Sequence, residues 1–321
     1  MIPAPRKILL IKLRGIGDAV LATPCLEALH QAWPQARLTL MVSAPAASLF
    51  RVDPRVAEVI PYQAAWFRGL RHHAAVFAGL QRRGFDLALC LHASFRTALL
   101  GWMSGAPWRS VRNHSGHDWF CNLPAAEPKE PKSVIQRDFD ALRALGLRPE
   151  GEATRLYLEP WAKAEAAQKW RALRLPQKGV VLLSPTASKP ERRWPMPRWQ
   201  ALARALQAAK KKPLWLAPYE PLELPADLAR GAAILGPCPL PVQAACLAKA
   251  SAVVANDSGP RHLAAACKVP TFTLFGGPET LREWQPYGAP HQALQAPSLR
   301  INDLAAEQVI PAVLAWLKPQ R

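Results

Sequence analysis

The sequence predicts an α/β protein made of two Rossmann-like halves. Apolar segments of strand length alternate with longer segments of helical spacing along most of the chain. That alternation is the mark of a parallel sheet covered on both faces. The pattern pauses near residues 150–175 and starts afresh at Gly179-Val-Val-Leu-Leu183. A length of 321 residues also fits two domains of ~100–200 residues each. We therefore divide the chain into halves at 1–160 and 161–321.

In the first half, Lys7–Leu13 reads as a strand that runs into Arg14-Gly15-Ile16-Gly17-Asp18. Ala19–Ala32 has helical apolar spacing, with Pro24 in its first turns. Arg37–Val42 and Ala57–Ile60 read as strands, and Trp66–Arg83 as a helix with a basic face. Phe85–Leu91 is a strand that ends at His92-Ala93-Ser94-Phe95-Arg96. Pro124–Pro131 is a proline-rich loop, Ser133–Gly146 a helix and Gly151–Pro160 a connection. A helix over Trp161–Leu173 follows, then the strand at 179–183, a helix over Arg198–Ala209 and a strand over Leu214–Ala217. Residues 252–275 spell a βαβ unit: strand Ala252–Ala255, polar turn Asn256–Gly259, helix about Pro260–Cys267 and strand Thr271–Phe275, closed by Gly276-Gly277. A last helix covers about Ala305–Leu317.

Composition narrows the function. With 50% apolar and 20% charged residues, the chain has enough apolar material for full cores. Its longest uncharged stretch, Gly231–Ala248, contains Pro237, Pro239 and Pro241, which excludes a spanning helix. The apolar run Ile8–Ile11 stops at Lys12, too soon for a secretory signal, so a cytoplasmic protein is expected. Six scattered cysteines form no C-x-x-C pair and read as reduced thiols. A net charge of +18 implies an anionic partner. Nucleic acid, anionic lipid or a phosphorylated glycan would each serve. No RNA-binding signature or zinc-finger spacing accompanies the charge, and no nucleic-acid partner is expected.

Four places carry candidate chemistry. In Arg14-Gly15-Ile16-Gly17-Asp18 the glycines permit a tight turn, and Asp18 reads equally as a helix cap or a general base. Ser184-Pro-Thr186-Ala-Ser-Lys189-Pro-Glu-Arg192-Arg193-Trp194-Pro195 follows a strand with hydroxyls and cations suited to a diphosphate. Tyr219-Glu220 follows another strand, where a carboxylate binds ribose hydroxyls or simply faces solvent. The turn Asn256-Asp257-Ser258-Gly259 opens a helix, whose free N–H groups favour an anion. Asp257 would repel phosphate, and so reads as a partner for sugar hydroxyls or for a neighbouring cation. His114-Ser-Gly-His117-Asp118 is the nearest approach to a metal motif, but no further ligand shows a recognisable spacing.

Taken in order, these loops resemble the ADP-heptose:lipopolysaccharide heptosyltransferases, glycosyltransferase family 9. The resemblance rests on Lys12-Leu-Arg-Gly-Ile-Gly-Asp-Ala-Val-Leu-Ala-Thr-Pro24, on Arg192-Arg193-Trp194-Pro195, and on Asn256-Asp-Ser-Gly-Pro-Arg-His-Leu-Ala-Ala266 with Phe275-Gly276. It implies a GT-B architecture, two Rossmann-like domains facing across a cleft. The first would bind an anionic lipopolysaccharide core acceptor and the second the nucleotide-sugar donor. It implies inverting transfer from ADP-heptose without metal or other cofactor, at the inner face of the cytoplasmic membrane, with peripheral membrane contact. Asp18 takes the role of general base. Gly15, Gly17, Ser184, Thr186, Lys189, Arg192, Glu220, Asp257, Ser258, Gly259 and His262 fall to the donor, and Arg96, Arg109 and Arg112 to the acceptor. Arg192 stands where the family often has Lys, and Glu220 matches the adenosine-side glutamate loosely. Two other enzyme readings stay open: a sugar-nucleotide epimerase of the same architecture, and a heptosyltransferase with a protein acceptor.

Overall fold

The computed structural model describes residues 2–63, 69–92, 94–111, 118–123, 125, 132–218, 221–276, 281 and 283–318, with backbone alone at 69–73 and 118. The chain forms two compact units, Met1–Tyr157 and Leu158–Arg321.

The first unit is a five-stranded sheet of β1 (Lys7–Lys12), β2 (Arg37–Ser43), β3 (Glu58–Tyr62), β4 (Leu87–Cys90) and β5 (Trp108–Val111) in the order β3-β2-β1-β4-β5. Every pairing is parallel. Its helices are α1 (Ile16–Leu21), α2 (Thr23–Ala32), α3 (Ala44–Ala47), α4 (Gly69–Gln81), α5 (Phe95–Met103) and α6 (Val134–Arg143). β1 is the central strand, and Ile8–Ile11 are fully buried. Such continuous apolar runs are what a sheet covered on both faces requires.

The second unit repeats the plan with six parallel strands. They are β6 (Val180–Ser184), β7 (Lys212–Leu216), β8 (Ala233–Leu235), β9 (Ala252–Asn256), β10 (Thr271–Phe275) and β11 (His291–Gln295), in the order β11-β10-β9-β6-β7-β8. Renumbered from the start of this unit, that is the 3-2-1-4-5-6 order of dinucleotide-binding sheets read from the other edge. Its helices are α7 (Pro160–Ala172), α8 (Met196–Ala208), α9 (Ala226–Ala229), α10 (Leu240–Leu247), α11 (Gly259–Ala266) and α12 (Ala306–Trp316). Trp194, Trp199 and Trp215 pack in one buried cluster with Phe272 and Val309. These three tryptophans are core residues, whereas Trp161 of the same half is exposed.

The single helix expected over Ala19–Ala32 is two helices hinged at Ala22. Pro24 is the cause. It has no N–H to give the carbonyl of Val20 four residues back. The Thr23 hydroxyl donates to that carbonyl instead, at 2.7 Å, and accepts from the backbone N–H of Arg155 at 3.1 Å. The loop after the first strand is thereby followed by a helix of only six residues. Among the described residues, no helix is long and apolar enough to cross a membrane.

The first unit also contains a buried ion pair. Lys12, at the end of β1, meets Asp138 on α6, and both side chains are fully buried. Lys12 Nζ also reaches the carbonyl of Leu91, just past β4, at 3.4 Å. One cation therefore ties together the ends of two adjacent strands and a helix. Removing one partner leaves an unpaired charge in the core. Lys12→Met is expected to cost about 3–5 kcal/mol of stability, and the double variant Lys12→Met/Asp138→Leu to recover much of it. Urea denaturation checks this, and equal loss in the single and double variants would contradict it.

Candidate functional site

In open parallel sheets, ligands bind where neighbouring strands send their connections to opposite faces, beyond the carboxyl ends of the strands. That point lies between β1 and β4 in the first unit and between β6 and β9 in the second. Most of the residues singled out from the sequence lie in the four segments leaving these strands.

In the second unit, β9 ends in Asn256, which is fully buried. Its amide holds both ends of the loop leaving β6. Asn256 Nδ2 donates to the carbonyl of Pro185 at 2.6 Å, and Oδ1 accepts from the N–H of Trp194 at 3.2 Å. The Trp194 indole, sunk in the core, donates to the carbonyl of Leu304 at 2.7 Å. The basic loop between these anchors is therefore a fixed arch, and it carries Arg192 on a short 3₁₀ turn, Pro190–Arg192.

Arg192 points to Asp257. Its Nη1 stands 3.0 Å from Asp257 Oδ2, an ion pair without the alignment of a hydrogen bond. Asp257 is 4% exposed and Arg192 38%. The other carboxylate oxygen, Oδ1, accepts from Nη2 of Arg261, one helical turn on. Arg261 is 1% exposed. Its Nη1 donates to the carbonyl of Trp284, and its guanidinium lies 4.9 Å from the centre of the Phe275 ring. Burial lowers the pKa of Arg261, while Asp257 draws it back up. Of the two roles the sequence left open for Asp257, the structure displays the neighbouring cation, and there are two of them.

Beside this cluster α11 begins. Ser258 is its N-cap in extended conformation, and its side chain makes no capping bond, since its hydroxyl turns back to the carbonyl of Asn256 at 3.3 Å. The first N–H groups of the helix thus have no side-chain cap, the state in which a helix start receives an anion. Ser184 ends β6, and its buried hydroxyl has no hydrogen-bond partner among the described residues. Thr186 is half-buried. Lys189 is exposed and stands 3.9 Å from Glu191, outside this cluster.

His262 is buried in α11 and its Nδ1 has no partner among the described residues. Burial, and then the charge of Arg261, push its pKa well below the ordinary imidazole value. It is a neutral ring at physiological pH, able to offer a hydrogen bond but not a cation to a diphosphate.

In the first unit, Gly15 is the N-cap of α1 and Gly17 its second residue. Asp18 lies in the first turn, half-buried. The N-cap position falls to Gly15 rather than to Asp18, whose carboxylate sits in the first turn, where the helix dipole favours it. Among the described residues its carboxylate has no hydrogen bond or ion pair. A Cβ on Gly15 would come within 3.7 Å of Asp18 Oδ2, so the carboxylate rests over a bare stretch of backbone.

The arginines assigned to an acceptor divide. Arg96 is half-buried in the first turn of α5, directly after β4. Arg109 was expected at a strand end or in a loop, but it lies within β5. Its Nε donates to the carbonyl of Phe120 at 2.9 Å and its Nη1 to that of Ala106 at 2.6 Å. It clamps the chain around the edge strand, a structural task that leaves less of the fork for a ligand. Arg112 and Glu220 lie outside the described residues, as do His114 and His117. Among the described residues, no three His, Cys, Asp or Glu side chains could hold a metal ion. None of the six cysteines is in a disulfide, and burial raises the pKa of Cys90, Cys246 and Cys267 to about 12.

Arg261 was missed. In the sequence it is one more basic residue on a helix, and the spacing Asp257-x-x-x-Arg261 was the available signal, since residues four apart meet on one helical face. The pair Lys12–Asp138 carries no such signal, because 126 residues separate its members.

Fold and loops define a doubly wound α/β protein with polar residues gathered at two switch points. Comparison with known proteins supplies the family. The model of glycosyltransferase family 9 (heptosyltransferase) matches residues 73–309, and the chain belongs to that family. It is therefore a glycosyltransferase. Lipopolysaccharide heptosyltransferase 1 of Escherichia coli O18:K1:H7 is 26% identical over 94% of this chain and 95% of its own. Lipopolysaccharide heptosyltransferase 3 of Escherichia coli K12 is 23% identical over 86% and 83%. The structure of the E. coli ADP-heptose lipopolysaccharide heptosyltransferase II superposes with a TM-score of 0.79 at 21% identity, over 96% of this chain and 98% of the other. At that identity the likeness is one of fold.

The neutral state of His262 has a consequence for stability. An unfolded chain binds a proton at this ring near pH 6.5, and the folded one does not until well below. Stability contributed by the neutral ring is present above pH 6.5 and is lost as pH falls below it. His262→Asn is expected to flatten the decline in denaturation midpoint between pH 7 and 5. An unaltered slope would show that the imidazole is protonated in the native state.

Proposed function

We propose that this heptosyltransferase moves a heptose from ADP-heptose to the lipopolysaccharide inner core, with inversion at the anomeric carbon and without a metal ion. The observation that carries the reading is Asp18: half-buried at the switch point of the first sheet, with no hydrogen bond or ion pair to its carboxylate among the described residues. Asp18 takes the proton from the acceptor hydroxyl as that oxygen attacks the anomeric carbon. The bond from that carbon to the diphosphate breaks on the opposite side, and ADP leaves. A single displacement of this kind inverts the centre. Charge that develops on the leaving diphosphate is met by Arg192 and by the uncapped N–H groups at Ser258 and Gly259. These positive groups are the support for a metal-independent mechanism.

The donor and acceptor classes draw on the relatives' names and on the charge. A phosphorylated inner core suits a chain with a net charge of +18. Such an acceptor is lipid-anchored, so the enzyme works at the cytoplasmic face of the inner membrane. An exposed aromatic group in the first unit supports contact with that surface. Phe95 and Trp102, seven residues apart on one face of α5, flank Phe120 at ring-centre distances of 5.6 and 6.3 Å. Trp119, 78% exposed, adjoins Phe120 at 5.2 Å. Arg96 follows Phe95 in α5, and Arg109 Nε donates to the carbonyl of Phe120. Aromatic rings with arginines are the composition favoured at a headgroup boundary.

Asp18→Asn is expected to lower turnover by ~10²–10⁴-fold, with ADP affinity unchanged by calorimetry. Turnover within a factor of two of the parent would remove Asp18 from the reaction. In the same assay, excess EDTA is expected to leave the parent rate intact. Loss with EDTA and recovery with Mg²⁺ would refute metal independence. Trp102→Ser/Trp119→Ser is expected to weaken sedimentation with vesicles containing phosphatidylglycerol while sparing ADP binding. Undiminished sedimentation would place membrane contact elsewhere.

A further inference from the structure

Arg261 has no place in the transfer just described, yet it is among the most deeply buried charged groups of the chain. Its guanidinium is committed on two edges, to Asp257 and to the carbonyl of Trp284, and one face covers Phe275. A buried arginine costs heavily unless it is paired, and here the pair is with a carboxylate that already faces a second arginine. Three charges stand in line: Arg192, partly exposed; Asp257, buried; Arg261, buried deeper.

Consider that line without its inner member. Asp257 and Arg192 would then cancel. A diphosphate arriving at the start of α11 would meet a neutral pair, with the carboxylate its repelling half. With Arg261 in place the three groups sum to a single positive charge, and it appears on Arg192, the member solvent can reach. Charge buried behind a carboxylate is thus expressed at the surface of the site.

We propose that Arg261 is a positioning residue of the donor site. By neutralising Asp257 from behind, it leaves the field of Arg192 free for a diphosphate, and it holds the carboxylate in place for the sugar hydroxyls. This rests on the reading of the second unit as the nucleotide-sugar site. It also accounts for an acidic residue next to a phosphate-binding helix start. Asp257 is tolerable there because its charge is spent on Arg261.

The test is the affinity of the full-length enzyme for ADP, measured by calorimetry at low salt on four variants. Cluster charge alone sets the expected order. Asp257→Asn raises it by one and binds ADP more tightly than the parent, by about tenfold for one unit charge a few ångströms away, while its turnover falls. Arg261→Met lowers it by one and binds about tenfold more weakly, although residue 261 does not reach the ligand. The double variant Asp257→Asn/Arg261→Met returns to the parent charge and near the parent affinity. Arg261→Lys keeps the charge and stays near the parent. A merely structural role predicts something else: Arg261→Met and the double variant equally impaired. That pattern overturns the proposal. If Arg261→Met does not fold, Arg261→Gln, which removes the charge and keeps a hydrogen-bond donor, takes its place, and parent-like ADP affinity in that variant overturns the proposal. If the parent itself fails to bind ADP, the donor reading falls, and this proposal with it.

Discussion

A carboxylate taken out of water must be met by positive charge or hydrogen-bond donors, and at the end of β9 this requirement organises the second unit. Asp257 is met on one oxygen by Arg261 and on the other by Arg192. The first comes from the helix that follows, four residues on. The second must be brought from another loop, and the structure shows what that takes. Asn256 grips the loop at Pro185 and Trp194, and Trp194 is itself anchored to Leu304. The polar cluster is therefore stiff. It is built on strand ends and a packed indole rather than on side chains free to wander, and the cost of fixing Arg192 is borne when the protein folds.

The same sheet logic explains why two unrelated-looking halves carry chemistry at equivalent places. Connections leave adjacent strands in opposite directions at the switch point, and the backbone there is open to a ligand. In the first unit, that opening lies beside Asp18 and the start of α5. Lys12 and Asp138 lie just beneath it, and their pair ties β1, the segment after β4 and α6 into one piece. A buried ion pair is a weak source of stability. Its value here is geometric, since it fixes the end of the strand from which the Gly15–Asp18 loop departs.

How much of this could be read from the sequence depended on contrast. The loops after β1, β6 and β9 stood out because small and polar residues interrupt strongly apolar strands. Helices followed closely after β1 and β9, and after a longer loop beyond β6. β5, β8 and β11 did not stand out. Trp-Arg-Ser-Val and His-Gln-Ala-Leu-Gln lack an apolar run, and Ala-Ile-Leu is three residues long. These strands are defined by their neighbours rather than by their own composition. Arg109 was legible as a cation but not as a clamp, because its partners are backbone carbonyls brought together by the fold. Arg261 was hidden for a related reason. A basic residue on a helix reads as solvated, and only the packing of Phe275 and the Trp284 carbonyl against it reveals a charge in the interior.

Aspartates in three settings show how environment divides one side chain among different tasks. Asp138 is fully buried with one lysine and serves architecture. Asp257 is buried between two arginines, so its charge is cancelled and its remaining lone pairs can be directed at hydroxyl groups. Asp18 is half-buried and makes no hydrogen bond or ion pair among the described residues. A base must be free to take a proton, and a carboxylate already engaged by a guanidinium or an ammonium is poorly placed to do so, because that charge opposes protonation. Asp138 and Asp257 are so engaged, and Asp18, among the described residues, is not. The net charge of +18 does not alter this, because it is a property of the whole chain and not of one site. What the chemistry needs is local: one free carboxylate, and one positive charge left over from a balanced cluster.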